Sequence, residues 1–129
     1  MAKHLLEIDD LSKNDLVKIL EMSGQPTGRQ LTGKGAALLF EKPSNRTRNS
    51  MEMAIVQLGG HPVTIRPDEV GLGERESIGD VAKTLSCYHS VIGARFLDHR
   101  NVVELSTYSL LPVINMLSDE AHPLQALAD

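Results

Sequence analysis

Apolar residues fall along the chain in two rhythms, short continuous runs and stretches with helical spacing, and the two alternate. Leu11-Ser12-Lys13-Asn14-Asp15-Leu16 has the form of a helix start. Ser12 is placed to cap, Asp15 suits the first turn, and Leu11 with Leu16 has the spacing of a hydrophobic staple, which predicts a helix to about Met22. Gly24, Pro26, Gly28 and Gly33 then interrupt the chain. Ala36-Ala37-Leu38-Leu39-Phe40 is a continuous apolar run of the kind carried by a strand buried on both faces. Met51, Ala54, Ile55 and Leu58 recur at helical spacing and Gly59-Gly60 supplies a stop, which predicts a second helix.

His61 to Ile65 reads as a second strand, and Arg66 to Glu76, with Pro67, Gly71 and Gly73, as a long polar loop. Ser77 with Asp80 repeats the capping pattern ahead of a third helix, whose apolar face is Ile78, Val81, Ala82 and Leu85. Val91 to Ala94 predicts a third strand, Asn101 to Thr107 a weaker helix and Val113-Ile114-Asn115 a fourth strand. Pro123 suits the first turn of a further helix. Strands alternating with helices imply βαβ units, so the expected fold is an α/β three-layer domain, a central parallel sheet of about four strands flanked by helices. The chain ends at Leu127-Ala128-Asp129 inside what reads as a starting helix, so the expectation is a domain severed from a longer protein.

Composition narrows the class. The 129 residues are 41% apolar and 23% charged but only 3% aromatic, which suits one domain with an aliphatic core. The formal charge of -4 and the scattered Lys and Arg leave no footprint for nucleic acid. Phe40, Tyr88, Phe96 and Tyr108 are too sparse for a base-stacking platform. No apolar run approaches the roughly 18 residues a membrane span needs, and Glu7, Asp9 and Asp10 stand where a signal peptide is apolar. Neither a membrane nor export is expected. Cys87 has no second cysteine to pair with, and Cys87 with His89 falls far short of a zinc site, so a reducing cytoplasm fits and no metal is expected. No Gly-x-Gly-x-x-Gly follows the first strand, which argues against a dinucleotide.

Ligands of open α/β sheets sit beyond the carboxyl ends of the strands, and three of the four predicted exits carry reactive side chains. After the first strand, Ser44-Asn45-Arg46-Thr47-Arg48 places hydroxyls, an amide and guanidinium groups where the second helix begins. Unpaired N–H groups, the helix dipole and a guanidinium make a phosphate cradle there. Arg46 and Arg48 point about 200° apart on a helix, so one is expected to bind and the other to pair structurally. Arg95 stands at the third exit and His122-Pro123-Leu124-Gln125 beyond the fourth. His122 and Gln125 share a helical face and offer a donor for a carbonyl oxygen and an amide for an NH2 group, a combination suited to a small acyl phosphate. His4, His61, His89 and His99 are set aside as structural, and Met51 and Met53 as packing residues.

On these residues the chain resembles the N-terminal, carbamoyl-phosphate-binding half of the ornithine carbamoyltransferases. The family's Ser-Thr-Arg-Thr-Arg stands here as Ser44-Asn45-Arg46-Thr47-Arg48, and its His-Pro-x-Gln as His122-Pro123-Leu124-Gln125. Leu72 to Ser77, Asp80 and Leu117-Ser118-Asp119-Glu120 favour the ornithine branch over the aspartate branch. The resemblance implies that residues 1–129 are a carbamoyl-phosphate-binding domain and that the C-terminal acceptor-binding domain lies outside this chain. It implies transfer of a carbamoyl group to the δ-amine of ornithine, giving citrulline and phosphate in arginine metabolism, with no metal or organic cofactor and a homotrimer as the full-length assembly. Ser44, Asn45, Arg46 and Thr47 would hold phosphate, Thr47, Arg95 and His122 would meet the carbonyl oxygen, and Gln125 would fix the NH2 group; Arg46, Arg95 and His122 would be the catalytic members. Asn45 replaces the usual Thr, Gly71 stands about where a Gln reaches a neighbouring subunit's ligand, and Arg75 about where a Lys is usual. The alternatives are a carbamoyltransferase for aspartate or another amine, and a non-catalytic phosphate-ligand module.

Overall fold

The structure is a computed structural model, and it describes residues 3–66 and 77–129. Four strands, β1 (Gly35–Phe40), β2 (His61–Ile65), β3 (Val91–Arg95) and β4 (Val113–Leu117), form one parallel sheet in the order β2-β1-β3-β4. Among the described residues five α-helices accompany them: α1 (Lys13–Ser23), α2 (Asn45–Gln57), α3 (Ile78–Ser86), α4 (His99–Tyr108) and α5 (Pro123–Ala128). The expected α/β class is the observed one. Of the polar stretch expected as a loop, Pro67 to Glu76, with Gly71 and Arg75, lies outside the described residues.

Capping chemistry sets most helix starts. Ser12 and Ser77 each accept from the backbone N–H three residues on, at 3.1 Å, and Asp15 reaches back to the Ser12 N–H. α2 ends at Gly59, whose φ of +88 is a left-handed conformation that glycine adopts without strain. α4 begins two residues earlier than the apolar spacing predicts. The Asp98 carboxylate accepts from the Arg100 N–H and caps a turn that carries no apolar signal of its own.

The period of two along β1 sends Ala37 and Leu39 to one face and Ala36, Leu38 and Phe40 to the other. The first face packs with Ile92, Ala94 and Val113 against α3 and α4, through Ile78, Val81, Ala82, Leu85, Val102 and Leu105. The second packs with Met116 against Ile55 and Met51 of α2 and Leu124 of α5. Thus α2, which follows β1, and α4, which follows β3, leave the sheet on opposite faces, and a crevice opens between the carboxyl ends of these neighbouring strands.

Two features depart from the sequence expectation. The segment before α1 is ordered: Leu5 pairs with Ile114 as an isolated parallel bridge, and Ile8–Asp10 forms a short 3-10 turn. β4 also continues past Asn115 to Leu117, with an irregularity that pairs Ala94 with Asn115 but Arg95 with Leu117. Met116 is thereby skipped, and the strand bends at its exit as bulged strands do.

Candidate functional site

Phe40 and Arg95 are register partners at the ends of β1 and β3, so the chain leaving β1 and the guanidinium of Arg95 emerge side by side. The Glu41 N–H donates to the Arg95 carbonyl, and the Glu41 carboxylate accepts from the Leu97 N–H at 2.7 Å, which ties the two exits together. α2 then begins beyond the carboxyl end of the interior strand β1. Ser44 is its N-cap, and its hydroxyl accepts from the Thr47 N–H at 3.4 Å. The free N–H groups of this first turn and the dipole favour an anion.

Arg95 donates from Nη1 to Thr47 Oγ1 at 3.0 Å, which joins the third exit to the first. A cleft of about 280 Å³ lies beside this pair, lined by Arg46, Thr47, Ser50, Met51, His122, Leu124 and Gln125. Residues from α2 and α5, far apart in sequence, therefore share one small hollow of mixed polar and apolar lining. Among the described residues, Arg95 Nε and His122 Nδ1 are buried side-chain nitrogens with no hydrogen-bond partner. Such atoms carry a desolvation cost that an acceptor on a ligand would remove. Burial first, and then the neighbouring Arg95 charge, hold the His122 imidazole below its ordinary pKa, so the ring is neutral at pH 7.

The two arginines of the α2 turn part company. Arg46 is exposed at the mouth of the cleft, while Arg48 donates to Glu52 at 2.9 Å on another side of the helix. Hydrogen bonds from Thr64 and from Arg48 keep Glu52 ionised well below the usual carboxylate range. Asn45 lies apart from the cleft: its carbonyl and Oδ1 both accept from Asn49 Nδ2, and with Ser44 it borders a larger hollow of about 510 Å³ containing Phe40, Pro43, Arg48, Thr64 and Arg66. That larger hollow holds none of Thr47, Arg95 and His122, so size alone does not mark the chemistry. Gln125 lines the smaller cleft, with its amide nitrogen donating to Asp129 at 3.0 Å.

The remaining histidines lie elsewhere. His61 opens β2, His89 precedes β3, and His4 Nδ1 accepts from the first N–H of β4, all at the amino ends of the strands. His99 is buried against the Ser118 hydroxyl at 2.7 Å. With Glu7 and Glu120 it forms the one group among the described residues whose ligand atoms come within 4.8 Å, and this group lies outside the cleft. Ser50 lines the cleft and has no counterpart among the expected site residues. The signal available for it is its place one helical turn beyond Arg46 and Thr47.

Comparison with known proteins identifies the family and the fold. Residues 3–129 match the family described as aspartate/ornithine carbamoyltransferase, carbamoyl-P binding domain. The ornithine carbamoyltransferase of Methanocaldococcus jannaschii is 47% identical over 132 residues, covering 98% of this chain and 43% of that protein. The catabolic ornithine carbamoyltransferase of Thermoplasma acidophilum is 47% identical over 129 residues, covering 100% of this chain and 41% of that protein. The crystal structure of ornithine carbamoyltransferase from Thermus thermophilus superposes with a TM-score of 0.90 at 45% identity, covering 100% of this chain and 47% of that one. The chain thus spans less than half the length of the relatives it matches.

Proposed function

The chain belongs to the carbamoyl-phosphate-binding domain family of the aspartate and ornithine carbamoyltransferases, and from that premise we propose that it is the donor-binding half of an ornithine carbamoyltransferase. In this reading residues 1–129 bind carbamoyl phosphate, and an acceptor-binding domain outside the chain brings ornithine. The observation that carries it is the Arg95–Thr47 bond beside His122, three groups from three different strand exits meeting at one cleft.

The first turn of α2 would hold the phosphate through its N–H groups, Ser44, Thr47 and Arg46. Thr47, Arg95 and His122 would donate to the carbonyl oxygen. That oxygen gains charge as the neutral δ-amine adds to the carbon, and losing one such donor typically costs about 3 kcal/mol of transition-state stabilisation. The new C–N bond forms as the C–O bond to phosphate breaks, and the departing phosphate takes up the proton that the nitrogen loses. The phosphate leaves readily, so orientation contributes more than acid or base catalysis. Gln125 would hold the NH2 group once it releases Asp129. Asn45, turned toward Asn49, would contribute its backbone rather than its side chain. The full-length protein is expected to be a cytoplasmic homotrimer; no described helix is long and apolar enough to cross a membrane. The reaction would serve arginine biosynthesis, although a close relative carries the name catabolic.

Calorimetric titration tests this reading: carbamoyl phosphate should bind the chain, and Arg46→Ala should weaken it. A citrulline assay should detect no turnover from the chain alone, because holding the acceptor in place supplies roughly 7 to 11 kcal/mol of the barrier. Absence of any carbamoyl phosphate binding would contradict the proposal. Turnover with aspartate on a full-length protein would move it to the other branch of the family.

A further inference from the structure

His122 is set in place by its backbone rather than by its own side chain. It occupies the N-cap position of α5, yet its side chain makes no capping hydrogen bond and Nδ1 is unpartnered. The peptide plane that joins Ala121 to His122 sets where the chain carries the His122 Cα, and with it the point from which the ring departs. Three donors converge on the carbonyl of that plane: the Ser118 N–H at 3.0 Å, Asn115 Nδ2 at 3.2 Å and the Ser118 hydroxyl at 3.4 Å.

Asn115 is the centre of this arrangement. It is fully buried in the middle of β4, where an unpaired amide is costly, and every polar atom of its side chain is used. The two Nδ2 protons are shared among the Ala121 carbonyl, the Leu6 carbonyl at 3.0 Å and Ser118 Oγ at 3.2 Å, while Oδ1 accepts from the Leu117 N–H at 2.9 Å. Leu117, with φ at 157, is the residue at which the bulged strand swings out, so the amide oxygen holds the departure of the turn and the amide nitrogen holds its return. Outer bonds complete the clamp: Asp119 accepts from the His99 N–H at 2.8 Å, its own N–H donates to the Leu97 carbonyl at 3.2 Å, and His99 Nδ1 meets Ser118 Oγ at 2.7 Å.

We infer that Asn115, acting through Ser118 and the Ala121 carbonyl, is a positioning residue that aims His122 at the carbonyl end of the donor site. The inference rests on the proposed function for its ligand but on the hydrogen-bond geometry for its mechanism. None of the Asn115 bonds reaches the α2 turn, so the phosphate end of the site is independent of it. The consequence is a split. Loosening the turn weakens recognition of the carbamoyl group and leaves recognition of phosphate unchanged.

The test uses the chain itself with two probes, inorganic phosphate and phosphonoacetamide, which adds a carbonyl and an NH2 group to the same anion. The variants are Asn115→Asp, which keeps the shape but removes the donors, and Ser118→Ala, which removes the hydroxyl and serves if Asn115→Asp does not fold. The expected result is a preference for phosphonoacetamide that falls about tenfold in either variant, the value of roughly one hydrogen bond, with phosphate affinity kept within about twofold. A second readout needs no ligand: the His122 ring, followed by NMR, should titrate closer to an ordinary imidazole once the turn is released. The charged groups around it are Arg95 on β3, Arg46 on α2, and Glu7, Asp9 and Glu120 beside the turn; Ser118→Ala alters none of them and is the variant read in this titration, because Asn115→Asp adds a carboxylate that raises the His122 pKa by itself. A folded variant with unchanged preference and unchanged His122 titration overturns the inference, as does an equal loss of both ligands. If the unaltered chain binds neither probe, the proposed function fails, and the His122 titration still decides the positioning role.

Discussion

The turn that opens α2 and the turn that follows β4 border the same cleft but differ in how their backbones are held. In the first, the groups that shape the backbone lie within four residues of one another: Ser44 caps the Thr47 N–H, and Asn45 and Asn49 bond across one helical turn. In the second, local bonds among Asn115, Leu117, Ser118 and Ala121 are anchored by partners from across the chain. Asn115 bonds the Leu6 carbonyl over a separation of 109 residues, and His99 bonds Ser118 over 19. An anion cradle needs only a helix N-terminus and short side chains, which local sequence can supply. Aiming an imidazole from a separate strand exit needs a buried polar network, and such a network holds its geometry only when every member is satisfied.

The contrast is broken most severely by Asn115→Ala. It leaves the Leu117 N–H and the Leu6 carbonyl without a partner and opens a cavity, so chemical denaturation should register a loss of about 3 kcal/mol. Arg46→Ala should do the reverse: stability stays within about 0.5 kcal/mol, while phosphate affinity measured by calorimetry falls by about 2 kcal/mol, the value of a charge-assisted contact. Ser44→Ala removes a cap and should cost about 1 kcal/mol of stability, with a smaller loss of phosphate affinity.

The smallest effect is one of pH. Burial lowers the pKa of His4, His89 and His122 in the folded chain. The unfolded chain therefore takes up protons first on acidification, at the ordinary value of about 6.5. Stability is full above that value and declines as pH falls through it toward the folded pKa values. Melting temperatures recorded from pH 7.5 to 5.5 should fall, and His122→Gln should flatten the slope. A melting temperature that rises on acidification would contradict the assignment of neutral rings.

This division also explains what could be read from the chain. The caps at Ser12 and Ser77, the stop at Gly59 and the run Ala36 to Phe40 are local signals, and the structure places helices and strand where they point. The parallel sheet followed from their alternation. The end of β4 did not, because the run Val113-Ile114-Asn115 loses its apolar signal at Asn115, while the strand continues to Leu117. Bonds to the distant Leu6 carbonyl and to Leu117, Ser118 and Ala121 of the following turn make a buried amide acceptable there. The ordered segment from Leu5 to Asp10 was hidden for the same reason, since its one bridge is to Ile114. The start of α4 was missed because His99 and Arg100 dilute the helical spacing while Asp98 supplies the cap. For the site, the α2 turn and the His-Pro-x-Gln segment were visible as motifs, but the bond from Arg95 to Thr47 depends on strand order.

The most direct test of a single site built from two turns is a titration of the isotopically labelled chain with phosphonoacetamide, followed by amide NMR. The account predicts concerted shifts at Ser44 to Thr47, at Arg95 and at Ala121 to Gln125, all with one dissociation constant. Shifts confined to Ser44 to Thr47, with the segment around His122 unmoved at saturation, would contradict it.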